Sequence, residues 1–182
     1  NLPKFQVNAL DGLVFHVSNA TFDFSDTRNS ADVVFPSGYE YRHMTYPNSN
    51  MWRGVYIQAV EVTLPKAFRR RGGQRISFGA TNFILDNNGI TGLLFAKNIL
   101  PYDEGSASGW KFSVDEFNIG LEANQLVAGG FKGTIGLPVA DKDALNYEAI
   151  ITGDNKYQLM VSPKGQMDFQ LWQAKVTLAP NS

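Results

Sequence analysis

Residues 82–95 read NFILDNNGITGLLF, two apolar runs separated by a short polar stretch that ends in Asn88-Gly89. Asn-Gly is the dipeptide that most readily adopts the positive φ angles of a tight hairpin turn. The stretch therefore predicts two antiparallel strands joined by a hairpin. The same pattern recurs around residues 153–155, where a second hairpin is predicted.

Turn-forming residues divide the rest of the chain in a similar way. Short apolar runs alternate with clusters of Gly, Asn, Asp and Pro, a pattern typical of all-β sandwiches and barrels. The best helical candidate is a short turn at residues 140–146. We therefore predict a single all-β domain over residues 1–182, a mainly antiparallel sandwich or flattened barrel with bulged strands and little helix.

Composition and charge exclude several classes of protein. The 182 residues carry a net charge of −1, so attraction to nucleic acid is not expected. There is no cysteine, which rules out disulfides and thiolate zinc sites. No apolar run approaches the ~18 residues of a membrane-spanning helix. The first residues, NLPKFQVNAL, lack an initiator Met and the pattern of a signal peptide, so we expect a processed chain or a module of a longer protein.

A change of phase interrupts the strand pattern at residues 112–121, FSVDEFNIGL. Apolar residues alternate up to Val114 and resume in the opposite phase at Phe117, with the acids Asp115 and Glu116 between them. The same change of phase occurs at Ser18-Asn19, Gln58-Ala59 and Trp172-Gln173. Because these pairs share no chemistry, we interpret the change as a β-bulge or a crossing between sheets. We expect Phe117 to enter the core.

Residues 35–56, FPSGYEYRHMTYPNSNMWRGVY, combine aromatic rings with planar hydrogen-bond donors. The candidate ligand-binding residues are Tyr39, Tyr41, Arg42, His43, Tyr46, Trp52 and Arg53. Rings and donors on a loop held by a rigid sheet are what a sugar-stacking or protein-contact surface needs. In the alternative interpretation, the segment folds its aromatics over an open end of the sheet as a lid, because large aromatics dominate burial.

Motifs for metal binding or catalysis are sparse. Asp23, Asp26 and Asn29 lie close together in the sequence and offer oxygens for a Ca²⁺ ion, although Asp and Asn also build turns by bonding their own backbone. The two histidines lack the spacing of a metal centre, and there is no P-loop, dinucleotide or nucleophile-elbow pattern. We predict no catalytic residues and no cofactor, with Ca²⁺ as the one candidate ion.

Four segments carry a resemblance to known proteins: WRGVYIQAVEVTLPKAF, FILDNNGITG, FKGTIGLP and FQLWQAKVTLAP. In their strand patterning they resemble large, uncharacterised β-rich bacterial proteins, some of which accompany phage-tail-like contractile injection systems. The resemblance implies a structural or surface module with no catalytic residues to carry over.

Three functions from different classes follow. The first is a non-enzymatic structural or adhesive module of a larger extracellular or virion-like assembly, located at a particle or cell surface, with other protein subunits as partners and oligomers expected. The second is a carbohydrate-binding module that takes surface glycans on residues 35–56. The third is a glycoside hydrolase using Asp115 and Glu116, the weakest of the three because adjacent residues of a regular strand point to opposite faces.

Overall fold

The computed structural model describes residues 4–6, 12–25, 27, 32–44, 49–68, 73–136, 144–154, 156–171 and 174–178, and it confirms the predicted all-β, antiparallel fold. The strands in these residues are β1 (Val14–Asp23), β2 (Gly54–Thr63), β3 (Ser77–Asp86), β4 (Gly89–Leu100), β5 (Ser106–Ala107), β6 (Trp110–Lys111), β7 (Val114–Glu122), β8 (Gln125–Gly136), β9 (Ala144–Thr152), β10 (Tyr157–Pro163), β11 (Met167–Leu171) and β12 (Ala174–Leu178). Eight of them form one sheet in the order β1-β2-β3-β4-β7-β8-β9-β10, and β5–β6 and β11–β12 form separate two-stranded sheets. The large sheet is open, with β1 and β10 at its edges, and does not close into a barrel.

The little helix that is present lies elsewhere than the sequence predicts. A five-residue helix, α1 (Tyr39–His43), and two 3-10 turns, Ser49–Met51 and Lys66–Phe68, are the helical elements of the described residues. The helical turn predicted at residues 140–146 is wrong from Ala144 onward, where β9 begins. The rest of that turn, like the phase change predicted at residues 172–173, lies outside the described residues.

Tight turns connect neighbouring strands of the sheet. The predicted hairpin forms between β3 and β4, where Asp86 pairs with Gly89, and Gly89 has a φ of 112°, which glycine adopts without strain. Between β7 and β8, Ala123 and Asn124 both have positive φ, 49° and 66°, as in the turns that match the twist of a hairpin. The hairpin predicted around residues 153–155 joins β9 and β10. The sheet is therefore a meander of sequential strands.

Bulges distort the sheet along a line that crosses β1 to β4. Asn19 and Asn82 have positive φ of 44° and 47°, and Asn19 Nδ2 donates a 2.7 Å hydrogen bond to Oε1 of Gln58 on the strand between them. The register of β3 against β4 shifts between Thr81 and Ile84. The phase changes predicted on β1 and β2 thus coincide with real distortions. Because the extra residue reverses the alternation, apolar residues before and after the bulge lie on the same face.

The bulge predicted at the acid pair is also confirmed. Phe112 pairs with Ile135, and Glu116 pairs with Lys132. Three residues on the β7 side, 113–115, therefore face two on β8, 133–134. The register of β4 against β7 shifts at the same place.

The buried core lies at one end of the sheet. Tyr56 on β2 and Ile84 on β3 are fully buried and pair with each other, and Trp52 packs beside them together with Val33, Phe35 and Met44. Along the strands of the large sheet, twelve large apolar side chains of the described residues are more than a third exposed. Phe117 is one of them, at 40%; the expectation that it enters a filled core is wrong, because no second layer covers it within the described residues.

Candidate functional site

Residues 32–44 and 49–53 fold over the buried end of the sheet, and we name them the lid. Phe35 stacks on Tyr39 with 5.7 Å between ring centroids and meets Trp52 edge-on at 5.5 Å. Tyr39 and Trp52 are 0% and 3% exposed, so neither ring keeps a free face on which a sugar could stack. These two predicted ligand-binding aromatics are packing residues, as the lid interpretation expects.

One carboxylate, Asp86 at the end of β3, holds both rings. Tyr39 Oη and Trp52 Nε1 donate hydrogen bonds of 2.7 and 2.9 Å to Asp86 Oδ2. The backbone N–H of Asn88 donates to Oδ1 at 2.8 Å. Burial of Tyr39, reinforced by its hydrogen bond to Asp86, raises the pKa of the phenol to about 12. The tyrosine is therefore a neutral donor, and Asp86 fastens the lid to the hairpin below it.

A second link joins α1 to the end of β7 through Glu122. Arg42 Nε and Nη2 lie 2.8 and 2.7 Å from Glu122 Oε1, and His43 Nε2 lies 2.8 Å from the same oxygen. Partial burial acts to raise the pKa of Glu122, but the hydrogen bonds from Arg42 and His43 outweigh it, and the pKa is lowered. Two predicted ligand-binding residues, Arg42 and His43, thus attach the lid to the sheet.

A cleft opens beside the lid, with a volume of about 360 Å³. It is lined by His43, Met44, Met51, Trp52, Arg53, Asp86, Asn87 and Asn88. The structure therefore brings the predicted residues His43, Trp52 and Arg53 together. It adds the β3–β4 turn, residues 86–88, which the sequence indicates only as a hairpin; nothing in its pattern distinguishes a turn that lines a cleft from one that does not.

The remaining predicted ligand-binding residues do not join this cleft. Tyr41 is 81% exposed on the outer side of α1, and Tyr46 lies outside the described residues. A platform of several aromatic rings, as the sugar-stacking hypothesis requires, does not form among the described residues.

The candidate calcium residues are only partly described. Asp23 is buried, and its Oδ1 accepts a 2.9 Å hydrogen bond from the backbone N–H of Ser25, which is the turn-building role of aspartate. Asp26 and Asn29 lie outside the described residues. Within the part of the chain that the structure describes, no three His, Asp or Glu side chains are grouped to hold a metal ion.

The acid pair of β7 does not converge on one point. Glu116 lies 3.2 Å from Lys132 Nζ in an ion pair. Asp115, the preceding residue, lies toward the other face, the side on which Tyr147 packs against Phe131. There it faces Tyr147, whose pKa is raised by burial and by the charge of Asp115. Carboxyl groups on opposite faces of a sheet cannot flank one glycosidic bond.

One face of the sheet is apolar from edge to edge. Directly paired residues share a face, and the register defines one row across all eight strands: Phe15, Val62, Phe78, Ala96, Phe117, Phe131, Ala149 and Leu159. A second row beside it consists of Val17, Val60, Ala80, Leu94, Ile119, Gly129, Ile151 and Tyr157. Beyond the bulges, the face continues on four strands with Phe22, Val55, Leu85 and Ile90. We name these residues the apolar face; none is charged. Asp115, two residues before Phe117, lies on the same side of the sheet at the border of these rows.

The opposite face is polar and carries the lid. Four neighbouring strands present charges of alternating sign in one row: Lys97, Glu116, Lys132 and Glu148. Opposite charges placed directly across strands stabilise the pairing and keep this face hydrated. The sheet thus has one solvated face and one apolar face, the arrangement of an antiparallel sheet that packs on another layer.

Comparisons of this chain with known protein families, with curated proteins and with solved structures returned no match. In the described residues, no helix has the length and apolar character needed to cross a membrane.

Proposed function

We propose that this chain is a non-enzymatic structural module of a larger protein assembly and that its apolar face packs against another protein layer. The observation that carries the proposal is the apolar face itself. It crosses eight strands without a charged side chain, and Phe78, Phe117 and Phe131 on it are each more than a third exposed. Large exposed apolar areas mark interaction surfaces in folded proteins.

Covering this face is thermodynamically favourable. Each Å² of apolar surface removed from water stabilises by about 25 cal/mol, and two sheets can pack face to face about 10 Å apart with their side chains interdigitated. The charged row on the opposite face gains nothing from burial, because desolvating charges is costly. The two faces therefore favour a partner on the apolar side only.

Binding of ANS, a dye that fluoresces on apolar surfaces, tests the proposal at low protein concentration. Phe117 and Leu93 have similar exposures, 40% and 42%, on opposite faces of the sheet. We expect Phe117→Lys to lower the fluorescence clearly more than the matched control Leu93→Lys, because only the first places a charge inside the apolar face. A parent protein that binds no dye, or equal losses in the two variants, would contradict the proposal.

A second candidate function is carbohydrate binding in the cleft beside the lid. The observation that favours it is the combination of His43, Arg53, Asn87 and Asn88 around a volume of about 360 Å³, within the range of small-molecule sites. Side-chain amides and a guanidinium are suitable partners for sugar hydroxyls. In this site the sugar would be held by hydrogen bonds at the hairpin turn rather than by ring stacking.

A glycan array tests this second function. We expect saturable binding that is weakened by Arg53→Ala, because the guanidinium lines the cleft. Tyr41→Ala serves as the control, since its exposed ring lies outside the cleft lining. Absence of binding to any glycan, or equal weakening in both variants, would exclude the cleft as the site.

A further inference from the structure

We propose that the layer covering the apolar face is a second copy of this chain, packed face to face in a two-layer sandwich. The inference rests on the proposed function and names its partner. Three observations support a second copy: the alternation of large and small side chains that gives the face its relief, its area and its low charge.

The relief of the face is self-complementary. In the row that crosses the sheet, Ala96 lies between Phe78 and Phe117, so a hollow separates two rings. The two copies are related by a two-fold axis that lies between the two sheets, parallel to the strands and midway between β4 and β7. Rotation about this axis reverses the strand order of the second copy. It then places Phe117 of each copy over Ala96 of the other. Ridges that enter hollows give the interdigitated packing found between sheets of a sandwich.

The same axis matches the other positions of the row. Phe78 faces Phe131 of the second copy, and Val62 faces Ala149. At the edges, Phe15 of β1 faces Leu159 of β10, so both sheet edges are included in the contact. Every position of the row meets an apolar side chain of the other copy.

The area of the face is that of a stable interface. Eight strands spaced about 4.8 Å apart span about 34 Å, and rows two residues apart are separated by about 6.8 Å. The two complete rows and the four-residue row beyond the bulges then cover roughly 580 Å² in projection. Standard interfaces bury about 600–1,000 Å² on each partner. The relief of the side chains adds to the projected area, so one face is large enough.

Electrostatics do not oppose this pairing. The residues of the apolar face carry no charge, and Asp115, which lies at the border of the face near Tyr147, is exposed. The chain has a net charge of only −1, so two copies repel one another weakly. The charged row and the lid lie on the opposite face and stay in water in the dimer. The cleft beside the lid therefore remains open in both copies.

Sedimentation equilibrium over a range of protein concentrations tests the inference. We expect a reversible monomer–dimer equilibrium in the parent chain. Phe117→Lys is expected to weaken it more than about tenfold, because each copy would bring a charged ammonium group into an apolar contact. Phe78→Lys serves as a second variant on the same face, and Leu93→Lys on the opposite face is expected to dimerise like the parent. Circular dichroism confirms that each variant is folded.

The outcomes separate this inference from the proposed function. A parent chain that stays monomeric at every concentration but binds ANS would overturn the inference that a second copy covers the face. The proposed function would then stand, with a different protein as the partner of the apolar face. A dimer that persists in both Phe117→Lys and Phe78→Lys, or that is lost in Leu93→Lys, would overturn the inference because another surface forms it. A monomer that binds no dye would overturn both.

Discussion

At the scale of single residues, two carboxylates decide where the lid lies. Asp86 accepts hydrogen bonds from Tyr39 and Trp52, and Glu122 accepts them from Arg42 and His43. Hydrogen bonds to a partly buried ionised group such as Asp86 contribute about 1.5–3 kcal/mol each. The Arg42–Glu122 pair contributes only about 0–1 kcal/mol, because Arg42 is half exposed to solvent. The lid is therefore fastened at two points, one on the β3–β4 hairpin and one on β7.

The lowered pKa of Glu122 predicts a pH dependence of the lid contact. A carboxyl whose pKa is lowered by folding contributes stability above its ordinary pKa of 4.5, and this contribution is lost as the pH falls through its folded value. We expect Glu122→Gln to be less stable than the parent at neutral pH. The difference should shrink as the pH falls below about 4.5, because the parent then also lacks the charge.

The measurement is chemical denaturation of both proteins between neutral and acid pH. Glu104→Gln is the control, since Glu104 is an exposed acid outside the lid contact. A difference between parent and Glu122→Gln that does not change with pH would mean that the charge of Glu122 does not hold the lid.

At the scale of elements, the bulges explain the phase changes in the sequence. On β2, Val55 and Ile57 precede the bulge, and Val60 and Val62 follow it in the opposite phase. Without the extra residue, half of these side chains would point into the polar face. The bulges thus keep both halves of a long strand on the apolar face, and Asp115 and Glu116 occupy one of them without needing a shared chemistry.

The turn between β7 and β8 is strained at one position. Ala123 has a φ of 49°, a conformation that costs a residue with a Cβ about 1 kcal/mol. We therefore expect Ala123→Gly to raise the free energy of unfolding by roughly 0.5–1 kcal/mol. Thermal or chemical denaturation measures the gain.

The matched control is Ala149→Gly, in β9, whose pairing with β8 and β10 has no register shift. There the glycine is expected to lower stability by roughly 0.5–1 kcal/mol, since it only adds freedom to the unfolded chain. Loss of stability in both variants would show that the turn does not strain Ala123.

At the scale of the whole molecule, the chain forms a wide sheet with a small core. The core is confined to the end under the lid, while the apolar face has no cover among the described residues. Because the urea m-value scales with the surface exposed on unfolding, we expect the monomer to have a lower m-value than a filled globular domain of 182 residues.

Urea unfolding at low protein concentration measures this m-value. If copies pair through the apolar face, the midpoint should rise with protein concentration, because the dimer stabilises the folded state by mass action. Phe117→Lys should remove that dependence. An m-value equal to that of a filled domain at the lowest concentration would contradict an uncovered face.

The sequence by itself determined the elements of this protein. Hairpin turns such as the one at Gly89 and the strand alternation are local properties, set by φ preferences and by the two-residue period of a strand. Even the bulges could be predicted, because a phase change at Asn19 or beside Glu116 is a local signal. Only the tertiary structure decided which aromatics are buried, since Tyr39 and Trp52 become packing residues through Asp86, a turn residue 47 positions from Tyr39. It also decided that the apolar residues of eight strands form one uncovered face, because register between distant strands depends on long-range pairing that no short stretch of sequence encodes.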